Sequence, residues 1–92
     1  MERMSLQNML RPELVVLRIV GGHSEGVHLA ALEKELASSM SRGAIIKALS
    51  RLMDLGMVRA EWTKEQGWKR KYFVSGEGTE VFLGKLEEML RP

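Results

Sequence analysis

Residues 41–75 constrain the fold most, because a helical pattern in this segment runs directly into a pair of strand patterns. Apolar side chains recur at helical spacing over residues 42–55. Ser41, just before them, is a favoured N-cap residue, and Gly56, just after them, is the residue that most often follows a helix C-terminus. The segment therefore predicts a helix that begins after Ser41 and ends near Leu55.

The second half of this segment predicts an antiparallel hairpin. Apolar and polar side chains alternate over residues 58–63 and again over residues 68–74, as they do in half-buried strands. The loop between them contains Gly67, which can supply the positive φ of a tight connection. We expect Trp68, near the hairpin tip, to be exposed. The other aromatic side chains of the hairpin are expected to pack onto the helices, namely Trp62, Tyr72 and Phe73.

The predicted helix over residues 42–55 has two different faces. With about 100° of rotation per residue, one side is apolar and consists of Ile45, Ala48, Leu49 and Leu52. The opposite side is small and cationic and consists of Gly43, Ala44, Lys47, Ser50, Arg51 and Asp54. Small residues beside long cationic ones suit a helix that approaches the floor of a groove, although an ordinary solvent-facing helix can have the same pattern.

Three further helices are predicted outside this segment. The first covers residues 12–20, starts with a proline suited to the first helical turn, and is apolar on nearly all sides, which predicts a buried central helix. The second, over residues 29–37, is amphipathic. The last covers residues 76–90 and has a wide apolar face. Residues 4–10 can form a short additional helix that packs on a neighbouring element.

The order of these elements predicts the fold. A turn with one or two extended residues lies at 23–27, between the first two helices, and the hairpin lies between the third and fourth. This order is that of a winged helix-turn-helix domain, an α+β and mainly α fold with a three-helix core, a two-stranded β-wing and a C-terminal helix. At 92 residues we expect one domain, covering 1–92.

Charge is distributed unevenly along the chain. The net charge of +2 divides into −1 for residues 1–40, +5 for residues 41–75 and −2 for residues 76–92. Positive charge is therefore concentrated in the helix and hairpin segment. Such asymmetry indicates a surface that faces a polyanion, although clustered charges are often only a solvated face.

The sequence does not contain the residues that several classes of protein require. The chain has no cysteine, no apolar run of the ~18 residues that a membrane span requires, and no secretory signal, so we expect a cytoplasmic protein without a membrane role. It has no phosphate-binding glycine loop or HExxH motif, and we expect neither catalysis nor a cofactor. His23 and His28 match no common zinc spacing, so no metal site is expected, and a metal-sensing regulator is the weakest alternative.

The helix and hairpin sequences resemble a known family. The run SRGAIIKALSRLMDLGMV looks like the recognition helix of PadR-type transcriptional regulators, with matches at Ser41, Gly43, Leu49, Arg51, Leu52, Gly56, Met57 and Val58. KYFVSGEG resembles the second wing strand and last helix of PadR-like and MarR-like regulators, with matches at Tyr72, Val74, Ser75, Glu77 and Gly78. The similarity covers most of residues 14–90. Arg42 stands where such proteins often have proline, and Ile46 stands where they often have an aromatic residue.

We therefore expect a transcriptional regulator that binds specific sequences of double-stranded DNA. We expect it to act as a repressor and to be associated with the nucleoid. It would bind as a homodimer through residues 76–90, with the N-terminal segment as a second candidate for the interface. The third helix would enter the major groove and the wing would hold the backbone or minor groove. The predicted DNA-binding residues are Ser41, Arg42, Gly43, Lys47, Ser50, Arg51, Lys64, Lys69, Arg70 and Lys71. The alternative is a winged-helix module that binds another protein instead of DNA.

Overall fold

The computed structural model describes residues 11–64 and 67–90, so the short helix predicted over residues 4–10 lies outside the described residues. Within these residues four helices and three strands follow one another. Their bounds are α1 Arg11–Gly21, β1 Val27–His28, α2 Leu29–Leu36, α3 Arg42–Asp54, β2 Val58–Lys64, β3 Trp68–Val74 and α4 Glu77–Leu90. The predicted helices and hairpin are confirmed to within about two residues at each boundary.

The first helix lies at the centre of the molecule, as its apolar sequence predicts. Val16, Leu17 and Val20 of α1 are fully buried, and the helix packs against α3 and β3. The core is completed from the other elements by side chains that include Val27, Leu32, Leu36, Ile45, Leu49, Leu52, Met57 and Tyr72. Burial of these apolar side chains is the main stabilising contribution to the fold.

The sheet has three strands, whereas the sequence predicted a two-stranded wing. The order is β1-β3-β2, and both pairings are antiparallel. Val27 pairs with Tyr72, and His28 pairs with Lys71. The residues expected to be extended at 23–27 thus supply part of a short third strand, and this strand ties the beginning of α2 to the hairpin.

Gly26 permits the close approach of β1 to the hairpin. Its φ of +89° lies in the left-handed region, and a Cβ at this position would come within 2.6 Å of the Phe73 ring. Both features require glycine, since a side chain would be strained by the backbone and by the aromatic ring. The turn before α2 is therefore fixed against the sheet.

Both ends of α3 are capped as the sequence predicts. The hydroxyl of Ser41 accepts a hydrogen bond from the amide of Ala44 at 3.2 Å. At the other end Gly56 has a φ of +76°, and the amide of Met57 donates to the carbonyl of Leu52 at 2.9 Å. These hydrogen bonds pair an amide at the N-terminal end and a carbonyl at the C-terminal end of α3, which have no partner within the helix. The turn at Gly56 then leads directly into β2. Among the described residues, no helix is long and apolar enough to cross a membrane.

Candidate nucleic-acid interface

The two faces predicted for α3 are confirmed. Ile45, Ala48, Leu49 and Leu52 are buried against the core. The predicted site residues of this segment are all exposed, namely Ser41, Arg42, Gly43, Lys47, Ser50 and Arg51. Ile46 is also 44% exposed, so one apolar side chain lies at the margin of this polar surface.

Two arginines of α3 form ion pairs with carboxylates of other helices. Nη1 of Arg42 lies 3.0 Å from Oε2 of Glu33 in α2, and Nε of Arg51 lies 3.4 Å from Oε2 of Glu13 in α1. Despite the short distance, Oε2 of Glu33 accepts no hydrogen bond within the described part of the chain, so we regard this contact as electrostatic. The arginine side chains remain 67% and 54% exposed. Both guanidinium groups are therefore held by carboxylates and are still open to solvent.

These carboxylate partners could not be inferred from the sequence. Glu13 is 4% exposed and stands within an apolar run, and Glu33 belongs to the polar side of α2 in the sequence pattern. Both contacts depend on how α1 and α2 pack against α3, which sequence periodicity does not specify. Lys47, between the two arginines, forms no ion pair within residues 11–64 and 67–90.

The hairpin register divides the predicted wing cations between two faces of the sheet. Lys64 pairs with Trp68 and Arg70 pairs with Trp62, which places these four side chains on one face. Lys69 pairs with Thr63 and Lys71 pairs with Glu61 on the other face. The wing therefore presents two basic surfaces, and Lys71 has an acidic neighbour.

The structure corrects one prediction for the hairpin aromatics. Tyr72 is 7% exposed and packs into the core as predicted, and Trp68 is 65% exposed as predicted. Trp62 is 64% exposed, so its predicted packing onto the helices is wrong. It shares a face with Tyr72 but lies one pair closer to the hairpin tip.

Arg59, which sequence reasoning missed, holds the base of the hairpin. Its guanidinium lies 4.6 Å from the centroid of the Phe73 ring and donates hydrogen bonds to Glu61 at 2.8 Å and to the Val74 carbonyl at 3.3 Å. These contacts occupy several of its donors. Arg59 is therefore a structural residue of the wing base.

The two histidines contact different parts of the fold. Nε2 of His23 lies 2.8 Å from Oε2 of Glu35, and Nδ1 of His28 lies 3.0 Å from the carbonyl oxygen of Arg70. Each ring thus contacts a different part of the fold. Within the described residues no group of three or more His, Cys, Asp or Glu side chains could hold a metal ion.

The last helix contacts the core through buried and half-buried side chains, and an exposed ion pair joins it to α1. Leu86 is buried, Phe82 and Leu83 are half-buried, and Val81 is 60% exposed. Arg18 of α1 donates two hydrogen bonds to the Glu87 carboxylate, at 2.7 and 3.2 Å. These bonds, and the attraction of the opposite charges, raise the pKa of Arg18 above its usual value.

Comparison with known proteins supports the fold. No protein-family model matches the chain, and no curated protein matches it significantly in sequence. A PadR-like transcription factor from Bacteroides fragilis is similar in structure, with a TM-score of 0.65 and 23% identity over 86% of this chain and 82% of that chain. SSV1 F-93 gives a TM-score of 0.70 and 21% identity over 90% of this chain and 85% of that chain.

A protein solved in complex with DNA is also similar in structure. FabT from Streptococcus pneumoniae, in complex with DNA, gives a TM-score of 0.71 and 16% identity over 94% of this chain. The match spans 57% of the FabT chain, so this chain corresponds to little more than half of that protein. The predicted resemblance to PadR-like regulators is confirmed as a likeness of fold, and the chain has the winged-helix fold of PadR-like transcriptional regulators.

Proposed function

We propose that this protein is a sequence-specific transcriptional regulator that binds double-stranded DNA through α3 and the wing. The observation that carries the proposal is the exposed face of α3, where Lys47, Ser50 and Arg51 lie side by side on a helix whose opposite face is buried. An α-helix fits the major groove, where such side chains can hydrogen-bond to base edges. The similarity of the fold to FabT, which was solved in complex with DNA, supports this use of the helix.

The N-terminal end of α3 is suited to a phosphate group. Ser41 and Arg42 lie at this end, where unpaired amides and the helix dipole favour an anion. Arg42 is 67% exposed, so it can exchange its contact with Glu33 for a phosphate at small cost. Gly43 has no side chain, so the sugar-phosphate backbone of DNA can approach the helix closely.

Arg51 is the strongest candidate for base recognition. Its Nε lies 3.4 Å from the buried carboxylate of Glu13, which restricts the arginine in the unbound protein while half of the side chain stays exposed. A restricted guanidinium loses less conformational entropy when it forms a bidentate contact with guanine. Glu13 would then be a positioning residue for Arg51.

The wing would hold the DNA beside the groove that α3 enters. Lys64, Lys69, Arg70 and Lys71 supply positive charge for the backbone or minor groove. Because the register places them on two faces, each pair would meet a different part of the DNA surface. These contacts would contribute affinity and register more than base specificity.

We further propose that the protein acts as a single-domain homodimeric repressor that binds a pseudo-palindromic site. Residues 76–90 would form the dimer interface, and the N-terminal segment could extend it. In support, Val81 on α4 is 60% exposed, which leaves an apolar side chain of this helix available to a partner. Such a regulator would work in the cytoplasm on the nucleoid.

The proposal for α3 is tested by selecting the DNA duplexes that the protein binds and then measuring how substitutions in the protein change its affinity for them. Duplexes selected from random DNA define the preferred site, and fluorescence anisotropy then measures affinity for that site and for scrambled DNA. Arg51→Ala should weaken specific binding by about 1–3 kcal/mol and relax the preference at one base position. Lys34→Ala is the matched control, since it removes an exposed cation of α2, which the proposal places neither at the DNA nor in the dimer interface, and it should leave DNA affinity unchanged. Equal losses in both variants would contradict the assignment.

The proposal for dimerisation is tested by sedimentation equilibrium of two aspartate variants. Val81→Asp should convert a dimer into a monomer, because a charge in an apolar interface lacks a partner. Leu55→Asp is the matched control, since Leu55 is also an exposed apolar residue, at 46%, but lies between α3 and β2. A wild-type protein that sediments as a monomer, or a Val81→Asp variant that stays dimeric, would refute this interface.

The alternative is a winged-helix module that binds an acidic protein surface. The same cations would serve that role, and the exposed Ile46 at the margin of the α3 face is the observation that favours it. An electrophoretic shift with random duplex at low and at moderate salt separates the two functions. A complete lack of shift at low salt would favour the protein partner.

A further inference from the structure

The most unusual surface of the molecule is the wing face that carries Trp62 and Trp68. These are the two tryptophans of the chain, and their exposures are 64% and 65%. Large aromatic side chains are seldom left open together on a monomer unless a ligand covers them. The wing face therefore has more aromatic surface than a phosphate clamp requires.

The hairpin register places the two indoles on the same face. Trp62 is opposite Arg70, and Trp68 is opposite Lys64, so the tryptophans are diagonal neighbours. Diagonal neighbours in an antiparallel pair lie roughly 7–8 Å apart, about twice the ~3.4 Å rise of successive nucleotides in a stacked strand. Two indoles at that spacing can each stack on a base of the same strand.

Each indole also has a cation beside it. The guanidinium of Arg70 and the ammonium of Lys64 each lie 5.9 Å from an indole centroid, over Trp62 and Trp68 respectively. Among the described residues of β2 and β3, the charged side chains of this face are these two cations, because Glu61 belongs to the opposite face with Lys71. Planar aromatic rings beside positive charges match a nucleic-acid strand, whose bases stack and whose phosphates pair with cations.

The wing face is also connected to α3. A guanidinium nitrogen of Arg70 lies 4.0 Å from the sulfur of Met53, near the C-terminal end of that helix. The aromatic surface therefore lies next to the C-terminal end of α3.

We propose that this wing face binds unpaired nucleobases, which stack on Trp62 and Trp68 while Lys64 and Arg70 pair with the flanking phosphates. The ligand is single-stranded nucleic acid, either free or at a melted site in a duplex. This activity is independent of duplex recognition by Lys47, Ser50 and Arg51. It gives the wing a role in binding opened DNA in addition to holding the double helix.

The test is a fluorescence titration with a 20-nucleotide oligothymidylate at low salt. Because the chain has two tryptophans and both lie on this face, quenching of intrinsic tryptophan fluorescence reports this surface alone. Trp62→Leu and Trp68→Leu retain an apolar side chain but remove the aromatic plane, and each should weaken binding roughly 5- to 100-fold. Both positions are largely exposed, so the variants should fold, which circular dichroism verifies.

Phenylalanine variants are the matched controls. Trp62→Phe and Trp68→Phe each retain an aromatic plane and leave one fluorescent indole. We expect binding within a few-fold of wild type and quenching of the remaining indole in both variants. Lys47→Ala, on α3, should leave oligothymidylate affinity unchanged while weakening duplex binding, so failure of this proposal is distinguishable from failure of the proposed function.

Three results would overturn the proposal. Leucine variants that bind oligothymidylate as well as wild type would show that charge alone holds the strand. Leucine variants that lose duplex and single-strand affinity equally would show that the tryptophans contact the double helix. Fluorescence that changes with protein concentration and not with added oligonucleotide would show that a second copy of the chain covers this face.

Discussion

Replacing Gly43 by alanine should change stability and DNA affinity in opposite directions. Gly43 is the second residue of α3, and a Cβ built at this position meets nothing within 4 Å. Glycine in a helix costs about 0.5–1 kcal/mol relative to alanine, and no steric cost offsets the gain here. For a domain of this size the variant should melt about 2–8 °C higher.

The same methyl group should impair binding if this surface of α3 lies against DNA. An extra methyl in a closely packed contact costs typically about 1–3 kcal/mol, which is roughly a 5- to 150-fold loss of affinity. Thermal melting followed by circular dichroism and anisotropy with labelled duplex measure the two effects on the same sample. A loss of binding in a protein that has become more stable cannot result from unfolding.

Gly78 provides a matched control for this experiment. It is the second residue of α4, and a Cβ there also meets nothing within 4 Å. Gly78→Ala should therefore raise the melting temperature by a similar amount. Because Gly78 lies in the proposed dimer helix, sedimentation first checks that the oligomeric state equals that of wild type, and DNA affinity should then be unchanged. If Gly43→Ala is more stable and binds duplex as tightly as wild type, this end of α3 does not contact DNA and the reasoning is refuted.

Three further predictions concern the turns, the core and the wing. Gly26→Ala should lower the free energy of unfolding, measured by urea denaturation, by more than Gly56→Ala does. Both glycines have positive φ, but a Cβ on Gly26 would lie 2.6 Å from the Phe73 ring, whereas a Cβ on Gly56 would meet nothing within 4 Å. Equal losses would contradict the close approach of Gly26 to Phe73. Leu17→Ala should cost about 2–5 kcal/mol, since Leu17 is fully buried, and a loss below ~1 kcal/mol would contradict its central position. Lys69→Ala should weaken binding to all duplexes alike. It should also make the slope of the logarithm of the association constant against the logarithm of salt concentration shallower by about one unit. A change in base preference instead would contradict a contact between Lys69 and phosphate.

Local sequence signals were sufficient to predict the elements and the two faces of α3. Ser41 and Gly56 mark the two ends of this helix in the sequence, and the structure shows the corresponding hydrogen bonds at both ends. Apolar spacing identified Ile45 and Leu49 as core residues because the burial of a helix face follows its 3.6-residue period. The exposure of Lys47 follows from the same periodicity.

Features that depend on packing between distant elements were not predictable. The pairing of Val27 with Tyr72 involves a strand too short to show any period. The contact of Arg51 with Glu13 requires α1 and α3 to meet at one particular angle. The exposure of Trp62 depends on how far the hairpin extends past the helices, whereas alternation along a strand specifies only which face a side chain occupies.

The most direct test of the central claim is the salt dependence of binding to duplex DNA. If two subunits each make about three phosphate contacts, the logarithm of the association constant should fall with the logarithm of salt concentration with a slope of about −5. Anisotropy of a labelled duplex between about 50 and 200 mM salt measures this slope, and the double variant Lys47→Ala, Arg51→Ala should bind more weakly throughout. Tight duplex binding with this slope is the predicted result. Absence of binding at the lowest salt, or affinity that the double variant leaves unchanged, would contradict the claim that α3 binds DNA.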